Sequence, residues 1–155
     1  MSRTSKIIFF LISVIFFIIF DVYFSTLIIN DLRFKTPSNP IFDLIFVQNT
    51  GAAFNILENS KIFLIAFSLG AIISILIYVF KNIEKFSVFS NYWISMLIAG
   101  ITCNLYERIA FGYVRDFFKL NFIDFPIFNI SDIFINISVI ALIAIIIKKR
   151  QKNIV

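Results

Sequence analysis

Four apolar runs constrain this chain more than any other feature, at roughly residues 7–29, 61–80, 91–110 and 132–147. A helix needs about 20 apolar residues to cross a hydrocarbon core of roughly 30 Å, and each run is close to that length. The whole chain agrees: 155 residues, 60% of them hydrophobic, with a mean hydropathy of +0.96, lie outside the soluble range. The length suits one domain, 1–155. The expected architecture is an all-α membrane protein with four transmembrane helices and a small β/loop element on one side.

An even number of spans puts both termini on one side, and flanking charge selects it. Arg3, Lys6, Lys81, Lys85, Lys148, Lys149, Arg150 and Lys152 flank the spans at that end, against one acid, Glu84. Both termini are therefore expected in the cytoplasm. The two remaining loops, roughly 30–60 and 111–131, are mixed in sign and belong outside. A net charge of +5 is accounted for by these flanks, so no nucleic-acid partner is expected. The first apolar run is too long for a secretory signal and no small-residue cleavage site follows it, so it reads as an uncleaved span.

The chain has no histidine and a single cysteine, Cys103. No intrachain disulfide can form, and neither an imidazole- or thiolate-based zinc site nor a Ser-His or Cys-His nucleophile is available. Acid–base chemistry falls to carboxylates or a lysine. A Ser60/Lys61 pair is disfavoured, because adjacent residues do not face each other on a helix. Cys103 reads as a small buried packing residue.

In the first outer loop, "KTPSNP" marks a turn. "IFDLIFVQ" is rich enough in β-branched and aromatic residues for a short strand, or for an interfacial segment anchored by Phe46 and Phe54. "NTGAAF" then supplies a turn from Asn49 to Gly51, with small residues that allow close backbone approach.

Ionisable groups within spans are costly and mark function by default. Asp21 falls about 21 Å along the first helix, and a helix–helix hydrogen bond or an ion pair with Arg108 would account for it. Gly100, Asn104, Arg108 and Gly112 recur every four residues and share one face if the third helix extends that far. Glu107 can pair with Arg108 or with a neighbouring helix. Because the third span runs outward and the fourth inward, these groups converge with Asp132 at one depth.

Asp116, Asp124 and Asp132 stand eight residues apart. In one uninterrupted helix the outer two would be about 24 Å apart, but Pro126 and Gly112 break it. A chain reversing around "DFP" lets Asp116 and Asp132 meet and share a proton, the requirement of an aspartic protease. Local sequence also allows Asp132 to be a helix cap and Asp116 and Asp124 to be solvated charges beside Arg115 or Lys119.

Three ordered segments choose among these readings. "VQNTGAAFNIL", "CNLYERIAFGYVRDF" and "FPIFNISDIFI" resemble signal peptidase II, the lipoprotein signal peptidase family, across nearly the whole chain. The resemblance implies a catalytic pair formed by Asp116 of "GYVRDF" and Asp132 of "FNISD". It also implies substrate-binding or supporting roles for Asp21, Asn49, Gly51, Asn104, Arg108 and Asn129, while Asp124 matches no catalytic position. The family usually carries aspartate where Glu107 stands, lysine at Ser25, alanine at Ser131 and further glycine at Ala99 and Cys103.

What the resemblance further implies is an aspartic endopeptidase of the bacterial cytoplasmic membrane, acting at the extracytoplasmic face without metal or other cofactor. It would remove signal peptides from diacylglyceryl-modified prolipoproteins, cutting before the lipidated cysteine. Its partners would be those substrates and membrane lipid, and the chain would act as a monomer. The competing reading is a non-catalytic membrane protein whose polar groups line a cavity or clamp helices.

Overall fold

The computed structural model describes residues 1–52 and 56–152; Phe54, one of the two expected interfacial anchors, lies outside the described residues. Helix α1 (Arg3–Leu27) begins at Ser2, whose side chain accepts from the Ser5 N–H. It continues through a π turn, Ile28–Leu32, and a last turn, Arg33–Lys35. Strand β1 is Phe42–Asn49, α2 is Lys61–Asn82 and α3 is Val88–Ala110. Strand β2 (Val114–Leu120) and helix α4 (Ile130–Lys152) complete the chain.

Four helical segments, Arg3–Lys35, Lys61–Lys85, Val88–Ala110 and Ile130–Gln151, are long and apolar enough to cross a membrane. The four expected runs each fall within one of them. The first extends further along the chain than the sequence implied, because the π turn and a last turn carry helix on to Lys35.

The least apolar helix is the most buried. The apolar window of α3 has a mean hydropathy of 1.2 and is 61% buried, whereas α1, α2 and α4 have 2.8, 2.7 and 2.6 and are 22%, 11% and 22% buried. A helix surrounded by helices can carry polar groups that find partners, while one facing lipid cannot. α3 accordingly touches all three other helices and buries Ser90, Ser95, Asn104 and Glu107, each with a hydrogen-bond partner. The amide of Asn91 is buried there too, without a partner among the described residues.

Packing of α3 against α4 depends on Gly100. A Cβ there would lie 2.7 Å from the Ser131 carbonyl oxygen and 2.9 Å from Ile135 Cγ1, so only glycine permits this approach. Beside it, Phe17 of α1 meets Tyr92 and Phe134 edge-on, both at 5.2 Å between centroids. Phe117 of β2 joins the same apolar cluster and fastens the sheet to the bundle. At the opposite end a second cluster gathers Phe10, Val79, Ile83, Ile94 and Ile98. There Lys6 Nζ donates to the carbonyls of Glu84 and Phe86, each at 2.7 Å.

The strands pair antiparallel, Phe42 with Leu120 through Leu44 with Phe118, then Val47 with Asp116 through Asn49 with Val114. Between Leu44 and Val47 the register shifts, so β1 spends one residue more than β2, as in a bulge. "IFDLIFVQ" is thus a strand. Phe46 packs partly buried against the core cluster, with the Arg33 guanidinium 5.2 Å from its ring centroid. The third helix stops at Ala110, so Gly112 leaves the shared face and adopts φ +89, a conformation suited to glycine just past a helix end.

Candidate functional site

At the end of the bundle away from Lys6, the C-terminal end of α3, the N-terminal end of α4 and the two strands surround a cavity of about 680 Å³. Its lining includes Asn49, Asn104, Arg108, Asp116 and Asp132. A second groove, about 740 Å³, runs along the outer face of α1 past Ile18, Ile19, Val22 and Tyr23. Its lining is mainly apolar, with Thr26, Asn30 and Asp31 at one end, whereas the first holds Asp116, Asp132, Arg108 and three asparagines.

Local structure explains how Asp116 reaches the cavity. In β2 side chains alternate between faces, so Phe117 enters the core on one side while Asp116 turns to the other. Asn49 lies diagonally across the ladder on the same face. Its Nδ2 donates to Asp116 Oδ2 at 2.9 Å while its Oδ1 accepts from the Gly51 N–H at 2.9 Å. The turn expected at Asn49–Gly51 therefore also fixes the amide that holds Asp116.

Helix α4 begins at the same place because Phe128 is tied back to β2. The Phe117 and Phe118 N–H groups donate to its carbonyl, and its own N–H donates to the Phe118 carbonyl. Asn129 follows, and its Oδ1 accepts from the Asp132 N–H at 2.9 Å while Asp132 Oδ2 accepts from the Asn129 N–H at 3.2 Å. This reciprocal pair is a capping box with Asn129 at the cap. The sequence placed the cap on Asp132; it falls three residues earlier, and Asp132 becomes its returning partner.

Asn129 also joins the acids. Its Nδ2 donates to Asp116 Oδ1 at 2.9 Å and to Asn104 Oδ1 at 3.1 Å, and Asn104 Nδ2 donates to Asp132 Oδ1 at 2.9 Å. Asp116 is only 2% exposed, which overturns the solvated-charge alternative for it. Burial pushes its carboxyl up to about 7, against the Asn49 hydrogen bond and reinforced by the nearby Asp132 charge. Asp124, by contrast, is exposed at the cavity edge.

The remaining residues find other partners than expected. Arg108 does not pair with Asp21; it donates through Nη2 to the Gly51 carbonyl at 2.8 Å and through Nη1 to the Asn104 carbonyl at 3.3 Å. Asp21 instead accepts from Ser131 Oγ at 2.6 Å, the interhelical hydrogen bond foreseen as its alternative. Glu107 turns to Arg115, with Oε1 accepting from Nε at 2.8 Å and from Nη2 at 2.6 Å, and Oε2 from the Arg115 backbone N–H at 2.7 Å. Neither Arg115 as partner of Glu107 nor β2 itself was identified from sequence, although the Val, Phe and Phe of "VRDFFKL" favour a strand.

Ser60 precedes α2 and Lys61 begins it, and neither lines the cavity. Cys103 is buried and free. Among the described residues no group of three or more His, Cys, Asp and Glu side chains could hold a metal ion.

The family model described as Signal peptidase (SPase) II matches residues 12–148. This chain belongs to the signal peptidase II family. Among curated relatives, a lipoprotein signal peptidase of Streptococcus thermophilus (strain CNRZ 1066) is 38% identical over 111 residues, covering 72% of each chain. One of Clostridium tetani is 36% identical over 111 residues, covering 70% of each. Two solved structures of bacterial membrane enzymes superpose with TM-scores of 0.80 and 0.76 at 27% and 28% identity. They cover 92% and 90% of this chain and 90% and 92% of theirs. Membership in the signal peptidase II family, with four membrane-length helices, makes this a multi-pass membrane peptidase.

Proposed function

We propose that the chain is an aspartic endopeptidase that removes signal peptides from diacylglyceryl-modified prolipoproteins, cutting before the lipidated cysteine. One observation carries the catalytic assignment: two carboxylates from β2 and α4, Asp116 and Asp132, line one cavity and are joined through Asn129 and Asn104. Two carboxyls so placed hold one proton between them more readily than they both ionise. The ionised one takes a proton from water, whose oxygen bonds to the scissile carbonyl carbon, while the protonated one donates to the carbonyl oxygen. Collapse of the tetrahedral adduct breaks the carbon–nitrogen bond, and a proton passes to the departing amine.

Asn49, Asn104 and Asn129 orient the carboxylates. Arg108 fixes the backbone at Gly51, at the mouth of the site. A signal peptide is an apolar helix, and the site stands where a helix arriving through the bilayer meets the headgroups. The basic residues at the opposite end favour cytoplasmic termini, which puts the cavity at the extracytoplasmic face of the cytoplasmic membrane. The reading treats the protein as one domain that works as a monomer.

The test is cleavage of a lipidated prolipoprotein by the purified protein in detergent. Asp116→Asn and Asp132→Asn should each abolish processing without loss of folding, while Asp124→Asn should keep it. Full processing by either of the first two overturns the assignment. Globomycin-like cyclic peptides should inhibit, and serine- or metal-directed reagents should not.

A further inference from the structure

One amide in the cavity wall has an unused acceptor. Asn136 stands one helical turn beyond Asp132 on α4, lines the cavity and is exposed. Its Nδ2 donates to the Asp132 carbonyl at 2.9 Å, and its Oδ1 has no partner among the described residues. Past it on the helix the side chains of Ile137, Val139 and Ile140 are 44%, 40% and 68% exposed, a surface suited to hydrocarbon. A carbonyl oxygen at the edge of hydrocarbon is costly unless something donates to it. The oxygens nearest it are engaged, Asp132 by Asn104 and Asn129 and Asp116 by Asn49 and Asn129, while Asp124 stands exposed at the cavity edge.

We propose that Asn136 is a substrate-positioning residue whose Oδ1 accepts a hydrogen bond from a backbone N–H of the bound signal peptide. The inference rests on the peptidase reading above. A peptide bond inside an α-helix is shielded, so the helix must open where water attacks, and each opened turn leaves N–H groups without acceptors. Asn136 lies about 6 Å further along the span than Asp132. That distance corresponds to about two residues of extended chain, on the signal-peptide side of the scissile bond. The acceptor therefore serves the strand that remains in the membrane, not the lipidated cysteine.

Two sets of molecules test this in detergent: Asn136→Leu and Asn136→Ala variants, and substrates in which each backbone amide before the scissile bond is replaced in turn by an ester. For the wild type, one ester about two residues before the bond should raise KM about three- to tenfold, the value of one hydrogen bond, with kcat little changed. Either variant should show the same rise with the all-amide substrate, no further rise with that ester, and an unchanged pH profile. Wild-type KM in both variants, or ester and variant effects that multiply, overturns the proposal. Failure of the peptidase reading would appear separately, as full cleavage by Asp116→Asn or Asp132→Asn.

Discussion

Asn129 and Asp132 hydrogen-bond each other in both directions, at 2.9 Å from the Asp132 N–H to Asn129 Oδ1 and at 3.2 Å from the Asn129 N–H to Asp132 Oδ2. The arrangement starts a helix and aims a carboxylate with the same atoms. Because Asn129 also donates to Asp116, helix initiation and the spacing of the two acids are one structural event.

Asn129→Ala should therefore fail twice. Loss of the cap costs about 0.5–2 kcal/mol, measurable by thermal unfolding in detergent. Cleavage should fall at least about tenfold in kcat/KM, because Asp116 Oδ1 and Asn104 lose their shared donor; each tenfold is about 1.4 kcal/mol. Asn129→Asp keeps the capping oxygen but adds a charge beside two acids, so it should recover stability without recovering activity.

Asp116 links pH to both stability and rate. Its carboxyl is raised from 3.8 to about 7 in the folded protein. Below the unfolded value it is protonated in both states and its contribution is complete; as pH rises through about 7 a buried carboxyl must ionise, and that contribution is lost. Thermal unfolding from acid to neutral pH should show the wild type losing stability relative to Asp116→Asn. Loss of the shared proton should also lower kcat/KM above about pH 7.

The Glu107–Arg115 pair is nearly enclosed, with side chains 10% and 20% exposed. Removing one partner strands the other, at a cost of about 3–5 kcal/mol. Glu107→Gln and Arg115→Gln should each destabilise strongly, and the double variant should lose less than their sum in a double-mutant cycle of unfolding. Since Arg115 precedes Asp116 in β2, each single variant should also reduce cleavage.

Gly100→Ala would bring a methyl within 2.7 Å of the Ser131 carbonyl. A backbone atom cannot swing aside, so α4 must shift, an overpacking cost of about 1–3 kcal/mol. The better helix propensity of alanine offsets roughly 1 kcal/mol of it. Lower thermal stability together with reduced cleavage is the expected result, because Ser131 immediately precedes Asp132.

The helices were legible in the sequence because hydrocarbon imposes a length and a polarity that each run satisfies independently. The proposed pair of acids was singled out by its surroundings, "GYVRDF" and "FNISD", rather than by even spacing, and the structure brings both to one cavity. Partnerships between distant segments were not. Arg108 pairs with backbone at Gly51 because the strand ladder carries that turn over the end of α3, and no local pattern records this. Glu107 reaches Arg115 because α3 ends at Ala110 and Gly112 reverses the chain, while its adjacency to Arg108 suggested the wrong partner. Asp21 was readable only as a group needing company, which Ser131 supplies.

The division of the site among segments also sets when it can exist. Asp21, Asn49, Asn104 and Asp116 leave the ribosome before Asn129 and Asp132, which come with α4. A growing chain therefore holds one carboxylate without its counterpart or the amide that joins them until α4 is in place. If Asp116 and Asp132 are the catalytic pair, synthesis of α4 is the step that completes the site, and a chain stopped after β2 should not cleave.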